Sequence, residues 1–342
     1  MLFRTIQLLY QLLNENSKQT HHILLMIMAV APASEQVLNA FNEILNLRRA
    51  YTYDRQQIFG FLHHVVNNGH LYDIQDCQLP SLRGILAQIE MLCPPDGGDF
   101  ASPGLEPDQM IKRRLNPEWD SRNPSKASKF LLDPLWHDGV PYWGLFDMLG
   151  LFLSIIGVGP SRATKRNFYL PLIAMYAKWC STLAASVPTM YNCTWIAYGP
   201  GKGTFFLGAS LKGFRSYPGI TGPWSKVIWE GRFSLINDAA MIESGNTMTN
   251  CPEQRENKTL IRFGNCAETY PFVHLFHGNP AAVHGIALQR QGVLPTNYED
   301  NLSGSVWQNV RPLCANCREL TEMRRGCVAN FDPLADANGV PP

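Results

Sequence analysis

Four residues in the C-terminal part of the chain have the types and spacing of a metal centre with an acid beside it. Cys266 stands two residues before Glu268, and Cys314 stands three residues before Cys317. Two cysteines three apart on the first turn of a helix direct both sulfurs to one point, and the positive end of the helix favours the metal-binding thiolate. A third thiolate leaves one tetrahedral position for water, as in a catalytic zinc site. Glu268 would lie beside that water and transfer its protons.

Two other interpretations of these cysteines stay open. A closed structural zinc site could use them together with Cys327, Cys251 or a histidine. Buried thiols without any ligand are the other alternative, because free cysteine is among the residue types most often buried. His274 and His277 lie three apart on the predicted helix that carries Cys266. A helical histidine pair is more often a packing or surface feature, so we do not assign them as ligands.

The elements that must position these residues are predicted from periodicity and turn signals. Pro171 suits the first turn of a helix, and apolar residues recur behind it at helical spacing. Strands are predicted over residues 193–198 and 204–211. The run between them, residues 199–204, contains glycines and a lysine and superficially resembles a phosphate-binding loop. Its glycine spacing instead favours a hairpin turn.

The metal-binding candidates lie at the starts of two predicted helices. The first covers residues 265–277, with Asn265 as N-cap and Glu268 at the third helical position, which would form a capping box. The second covers residues 314–325 and is ended by Gly326. Three further strands are predicted over residues 225–235, 258–263 and 283–289.

The first part of the chain is predicted to be helical and then irregular. Apolar residues share a helical face in residues 2–13 and again in residues 37–45. Residues 94–134 are dense in Pro, Gly and Asp and therefore form a long connection. We predict two regions: residues 1–134, a helical N-terminal region that ends in this connection, and residues 135–342, a catalytic domain.

The Cys266-x-Glu268 pair and the Cys314-x-x-Cys317 pair together resemble the zinc signature of the cytidine deaminase-like superfamily. The predicted element order over residues 160–335 is also similar to the core of that superfamily. The likeness is greatest to the divergent fungal and bacterial-toxin branches, which attach such a core to unrelated N-terminal regions. It implies an α/β fold with a three-layer α/β/α core, in which zinc-ligand helices pack on a mixed sheet.

The resemblance also implies roles for the residues that carry it. Cys266, Cys314 and Cys317 would bind Zn²⁺, and Glu268 would be the catalytic proton shuttle in hydrolytic deamination of cytosine to uracil. No organic cofactor is implied. This sequence departs from the pattern in three places. An insertion covers residues 291–310, a proline stands one residue early at position 312, and a final strand pair is reduced to residues 327–331 or missing.

A basic and aromatic segment suggests the substrate. Lys212, Arg215, Trp229 and Arg232 are candidate substrate-binding residues, because alternating cations and rings suit a single-stranded polynucleotide. The alternative is a strand pair with core aromatics and solvated cations. Four arginines also flank the second cysteine helix: Arg311, Arg318, Arg324 and Arg325. Favourable interaction of Arg324 and Arg325 with the helix C-terminus is their commoner explanation.

These observations predict a zinc-dependent deaminase that converts cytosine to uracil in nucleic acid, with DNA favoured over RNA. Three cysteine ligands resemble the free-nucleoside cytidine deaminases, so a free cytidine, nucleotide or adenosine deaminase is the alternative within enzymes. The alternative from another class is a non-catalytic, zinc-stabilised interaction module. Strand preference and oligomeric state stay open.

Composition limits the remaining classes of protein. The 342 residues carry 29 Lys+Arg and 28 Asp+Glu, so there is no global basic field, and any polyanion site must be local. Nine cysteines, an odd number, do not suit a secreted disulfide framework. They favour reduced thiols and an intracellular location, in the cytoplasm or nucleus. The glycosylation acceptor pattern at Asn192-Cys193-Thr194 is then a coincidence.

The two longest apolar runs predict buried helices. They cover residues 23–33 and 144–158, and the second is interrupted by Asp147. Neither reaches the roughly 20 residues that a membrane-spanning helix needs. We therefore predict no membrane partner.

Overall fold

The computed structural model describes residues 36–93, 110–123, 130–184, 187–211, 224–236, 263–299 and 305–333. From residue 37 onward they belong to one compact unit, Val37–Pro342. The unit is mixed α/β, as predicted, with one four-stranded sheet and two small two-stranded sheets among the described residues. Every described strand pair is antiparallel, so the prediction of a mixed sheet is wrong for this part of the chain.

The helices are α1 (Leu47–Ala50), α2 (Arg55–Asn67), α3 (Leu79–Leu92), α4 (Leu145–Ile155), α5 (Leu170–Leu183), α6 (Trp224–Ile236), α7 (Thr269–Leu275), α8 (Ser305–Gln308) and α9 (Ala315–Met323). The strands are β1 (Arg113–Leu115), β2 (Phe130–Leu132), β3 (Leu135–His137), β4 (Val140–Tyr142), β5 (Met190–Ile196), β6 (Phe205–Ala209), β7 (Val283–Gln289) and β8 (Val310–Arg311). Short 3₁₀ turns lie at Gly69–Tyr72, Pro280–Ala282, Arg290–Gly292 and Val328–Phe331, and a π-helical turn at Lys165–Tyr169 precedes α5.

The early helices share one apolar core with α5. Helix α2 begins at a capping box between Asp54 and Gln57, which satisfies backbone donors that have no partner inside the helix. Trp179 of α5 donates its indole N–H to the carbonyl of Ala50 at 2.7 Å. One continuous cluster of buried side chains joins α1, α2 and α3 to α5 and the sheet. The domain boundary near residue 134 stays a prediction, since shared packing does not measure independent folding.

The predicted helical face in residues 37–45 is wrong. Phe41, Asn42 and Glu43 have φ between 54° and 64°, and Ala40 pairs with Leu45 in an isolated antiparallel bridge. The left-handed backbone is incompatible with a right-handed helix. Val37, Phe41 and Leu45 are nevertheless buried, whereas Ile44 is exposed, so the spacing reflects packing of a tight turn.

The four-stranded sheet has the strand order β6-β5-β7-β8. Strands β5 and β6 form the predicted hairpin, and β7 has the predicted bounds. Gly199, Gly201 and Gly203 all have positive φ in the hairpin loop, a conformation that glycine adopts without steric penalty. Strand β5 lies in the centre and is hydrogen-bonded on both edges.

Successive side chains of β5 point to opposite faces of the sheet. Tyr191, Cys193 and Trp195 define the aromatic face, where Tyr191 meets Tyr176 of α5 with ring centroids 5.7 Å apart. Asn192 and Thr194 define the polar face, and Asn192 contacts Glu268, the residue just before α7. Helices therefore cover both faces of the sheet.

Helix α4 accounts for the second long apolar run. Its residues from Leu145 to Ser154 are all buried, including Asp147. The helix lies so close to β6 that a Cβ atom on Gly150 would come within 2.8 Å of the carbonyl oxygen of Leu207. No helix in the described ranges is both long enough and apolar enough to cross a bilayer.

The strand predicted over residues 225–235 is wrong, and of the two alternatives for residues 327–331, a reduced strand pair or none, the structure has no strand there. Residues 225–235 belong to helix α6, in which Ile228, Arg232 and Ile236 are buried at helical spacing. The segment Val328–Phe331 is a 3₁₀ turn, and its Phe331 ring packs over Gly285 of β7. The strand predicted at residues 258–263 lies outside the described residues except for Phe263.

Candidate metal centre

Three cysteines from two separate segments meet at one point. The sulfur atoms of Cys266, Cys314 and Cys317 all lie within 4.8 Å of one another, and the Cys266 and Cys314 sulfurs are 3.4 Å apart. Thiolates that share one tetrahedral metal ion are separated by about 3.8 Å, given metal–sulfur bonds of about 2.3 Å. The sequence prediction that these residues lie together is confirmed, and the group could hold a metal ion.

Helix α9 supplies two of the three sulfurs. Cys314 is its N-cap and Cys317 lies in its first turn, as the Cys-x-x-Cys spacing predicts. Hydrogen bonds from the other two thiols lower the pKa of Cys314 well below its usual value. The pKa of Cys266 is raised mainly by its hydrogen bond with Cys314, and that of Cys317 mainly by its hydrogen bond with Cys266. Without metal, the cluster therefore favours a thiolate at Cys314.

Cys266 lies in the turn before α7, and its backbone is fixed by Arg232. The Cys266 carbonyl accepts hydrogen bonds from Arg232 Nη2 and from the Thr269 hydroxyl, each at 2.9 Å. Arg232 Nη1 also lies 3.1 Å from Asp147 Oδ1, and both side chains are buried. This buried ion pair links α6 and α4 to the third cysteine.

The predicted capping box around Glu268 is wrong. Helix α7 begins at Thr269, Glu268 is its N-cap residue, and the Glu268 side chain does not cap the helix. Instead, its carboxylate accepts a hydrogen bond from the Cys317 thiol at 3.4 Å, while Asn192 Nδ2 lies 3.4 Å from the other carboxylate oxygen. Burial, followed by the charge of Cys314, raises the pKa of Glu268 to about 7. The acid predicted beside the cysteines is therefore in contact with them.

Asn192 and Thr194 were not identified from the sequence. The Thr194 hydroxyl donates to Asn192 Oδ1 at 2.7 Å, which leaves the Asn192 amide nitrogen to face Glu268 and the carbonyl of Ile286. Both side chains are completely buried. The sequence feature that could have identified them is the presence of two polar residues at alternate positions of an otherwise apolar strand. Burial of Asn192 also agrees with treating its glycosylation pattern as a coincidence.

The approach of α7 to the sheet depends on a glycine. Gly208 of β6 pairs with Asn192 across the strands, so both face the cysteine cluster. A Cβ atom on Gly208 would lie 2.1 Å from the carbonyl oxygen of Ala267. Only glycine allows the segment that carries Cys266 and Glu268 to lie this close to the polar face.

A small cavity adjoins the centre. It measures about 10 Å³ and is lined in part by Cys266, Glu268, Cys317 and Asn316. That volume is comparable to the minimum needed for one water molecule. A pyrimidine ring does not fit into it.

The two predicted substrate-binding residues that the structure describes do not lie on the surface. Lys212 and Arg215 lie outside the described residues. Trp229 and Arg232 lie on helix α6 and are buried, with 8% and 1% of their surface exposed. The Trp229 indole donates to the carbonyl of Phe263, and Arg232 holds Asp147 and Cys266. Both described members therefore act in packing, because helical periodicity turns them inward.

His274 lies apart from the cysteine cluster, in agreement with its exclusion as a ligand. Its ring stacks on Phe206 with centroids 4.2 Å apart, and its Nε2 lies 2.5 Å from the Tyr142 hydroxyl. Burial lowers the pKa of His274 to about 4. Cys327, the possible fourth ligand of a structural site, is exposed and is not part of the group.

Comparison of the chain with protein-family models, with curated proteins and with solved structures finds no match. The residues of the site are therefore the basis on which a function can be assigned.

Proposed function

We propose that this protein is a zinc-dependent hydrolytic deaminase of the cytidine deaminase-like type that converts cytosine to uracil in nucleic acid, with DNA preferred over RNA. The observation that carries the proposal is the position of Glu268. Its carboxylate is buried, contacts Cys317 and lies beside a group of three cysteines that could hold a metal ion. A structural metal site has no need of a buried acid in this position.

Cys266, Cys314 and Cys317 would hold the zinc. Three sulfur ligands would leave the fourth tetrahedral position open for water, as in catalytic zinc sites. The ion would supply an activated water for attack on a ring carbon that carries an amino group. Glu268 would accept a proton from the water and deliver protons to the ring nitrogen and the departing ammonia. Asn192 holds one carboxylate oxygen of Glu268, which fixes the orientation of the proton carrier.

The element order gives further support. Helix α5, the β5–β6 hairpin, α7, β7 and α9 follow one another in the order of the deaminase-like core that the sequence resembles. Strand β5 lies between β6 and β7, with α5 on one face and α7 on the other. Preference for a polynucleotide is supported by the resemblance and by Arg318 and Arg325, which are exposed on and just after α9.

The second candidate is a zinc-stabilised interaction module without catalytic activity. The cavity of about 10 Å³ beside Glu268 favours this candidate, because a base could reach the centre only if the surrounding residues opened.

The deciding experiment compares the wild-type chain, loaded with zinc, with Glu268→Gln and Glu322→Gln. Glu322 is exposed on the same helix as Cys317 and serves as the matched control. Single-stranded DNA, double-stranded DNA, RNA, cytidine and adenosine are incubated separately, and uracil, inosine and ammonia are measured.

We expect uracil in DNA, a loss of at least about 100-fold in Glu268→Gln and no loss in Glu322→Gln. All three proteins should retain one zinc per chain. Conversion of cytidine alone would show that the polymer assignment is wrong. One bound zinc without deamination of any substrate would favour the interaction module.

A further inference from the structure

A second, larger cavity lies at the other face of the sheet. It measures about 490 Å³ and is lined by Trp195 of the aromatic face, by Tyr169 and by His284. Trp195 and His284 are directly opposed on β5 and β7, so they share that face. The cysteine cluster faces the opposite side of β5. The volume is within the range of small-molecule sites, about 300–1,000 Å³.

Two glycine-containing loops form one wall of this cavity. The Gly159 N–H donates to the Gly203 carbonyl at 2.8 Å, which joins residues 157–164 to the β5–β6 hairpin loop. Gly203 has φ of 86°, and a Cβ atom there would lie 2.8 Å from the Gly159 oxygen. The loops can approach this closely because Gly203 has no Cβ atom. The wall is therefore defined by backbone contacts.

The cavity carries positive charge. Lys202 is exposed in the hairpin loop, and Lys165 is only 4% exposed, with its ammonium donating to the Asp332 carbonyl at 2.6 Å. Lysine is seldom buried to this degree. None of the described lining residues has a carboxylate, and Ser161 and Thr164 add hydroxyl groups. Cations in a concave, low-dielectric wall attract an anion.

An aromatic surface lies beside these cations. The rings of Tyr169 and Trp195 are stacked, with centroids 3.9 Å apart and planes within 10°. Burial, followed by the charge of Lys165, lowers the pKa of His284 to about 4, so its ring is neutral near pH 7 and can donate or accept a hydrogen bond. The cavity thus combines a cationic end with a flat, weakly polar wall.

We propose that this cavity is a binding site for a nucleoside monophosphate. The phosphate lies near Lys165 and Lys202, between the two glycine loops, and the heterocyclic ring lies along the Tyr169 and Trp195 side. A phosphate alone would leave the aromatic wall unused, and an uncharged nucleoside would make no use of the Lys202 ammonium group. The site is independent of the proposed deaminase centre, because it faces the other side of the sheet.

Isothermal titration calorimetry of the full chain with AMP, UMP, adenosine and inorganic phosphate tests this proposal. We expect either monophosphate to bind at least about tenfold more tightly than adenosine or phosphate. Lys202→Ser and Ser161→Glu change exposed lining residues and should weaken AMP binding at least about fivefold. The matched controls Arg83→Ser and Gln56→Glu make the same charge changes at exposed positions away from the cavity and should bind AMP like the wild type.

Glu268→Gln should also bind AMP like the wild type, which separates this cavity from the cysteine centre. The proposal fails if neither monophosphate binds, or if inorganic phosphate binds as tightly as AMP. It also fails if the control variants lose as much affinity as the cavity variants, or if Glu268→Gln alone abolishes binding.

Discussion

The two sides of strand β5 are equally buried but differ in chemistry. Tyr191, Cys193 and Trp195 on the aromatic face are at most 5% exposed, and Asn192 and Thr194 on the polar face are not exposed at all. The aromatic side packs against α5 and the turn before it. The polar side meets Glu268 and, through it, the cysteine cluster.

This difference separates stability from function within one strand. Burial of aromatic rings stabilises the fold by removing apolar surface from water, whereas burial of an amide or hydroxyl group is unfavourable unless the group is hydrogen-bonded. Asn192 and Thr194 satisfy each other and orient Glu268. Apolar residues of similar size at these two positions would pack without the free-energy cost of burying polar groups. We infer that the polar face is kept for the site, and the following predictions test that division.

The largest effect is expected from Cys314→Ser. Loss of an outer hydrogen-bond partner of a metal ligand typically lowers metal affinity by about 10- to 100-fold, so loss of a ligand itself should lower it at least about 1,000-fold. Zinc content by mass spectrometry should fall from one per chain to near zero. Cys327→Ser, at an exposed cysteine outside the cluster, is the control and should retain the metal. Retained zinc in Cys314→Ser would mean that the ligands are misassigned.

Trp195→Ala should destabilise the protein without loss of metal. Removing a buried Trp side chain costs about 3 to 5 kcal/mol of unfolding free energy. Trp195 lies on the aromatic face, away from the cysteines, so zinc content should stay at one per chain in the folded variant. Urea unfolding gives the free energy, and metal analysis gives the second readout. Loss of zinc under native conditions would contradict the separation of the two faces.

Acid should weaken both sides of the sheet, and the polar side more strongly. Burial lowers the pKa of His274, on the polar side, and of His284, on the aromatic side, to about 4. An unfolded histidine has a pKa of about 6.5, so between these values the unfolded chain binds more protons and stability falls as pH decreases. His274 should remove about 2 kcal/mol between pH 7 and pH 5, and His284, which is more open to solvent, should remove less.

His274→Phe and His284→Phe test this acid effect by urea unfolding at the two pH values. On acidification, His274→Phe should lose about 2 kcal/mol less than the wild type, and His284→Phe should show a smaller reduction. A wild-type loss that neither substitution reduces would show that other groups cause the acid sensitivity.

The smallest effect is expected from Thr194→Val, which keeps the side-chain shape and removes the hydroxyl that orients Asn192. If Glu268 acts as proposed, kcat should fall about threefold to tenfold with little change in KM, in line with the loss of one hydrogen bond. Cys193→Ala changes the neighbouring aromatic-face residue and should leave kcat unchanged. Equal effects of both substitutions on kcat would show that the polar face has no special role.

Local signals determined much of the fold and part of the site. The hairpin of β5 and β6, strand β7 and the start of α9 follow from residue periodicity, glycine positions and cysteine spacing, which act over a few residues. The same spacing correctly placed Cys266, Cys314 and Cys317 in one group with Glu268. The strand prediction for residues 225–235 was wrong. The alternating aromatic residues of this segment imitate a strand, but its buried residues recur at the helical period.

Only the tertiary structure decided what surrounds the cysteine group. Asn192 reaches Glu268 because β5 lies at the centre of the sheet, and Arg232 reaches the Cys266 carbonyl because α6 packs beside α7. These contacts join residues 76 and 34 positions apart. No local pattern encodes such distances, because they result from how whole elements pack. The sequence by itself therefore determined which residues could hold a metal ion, and the fold determined how they are oriented and which side chains surround them.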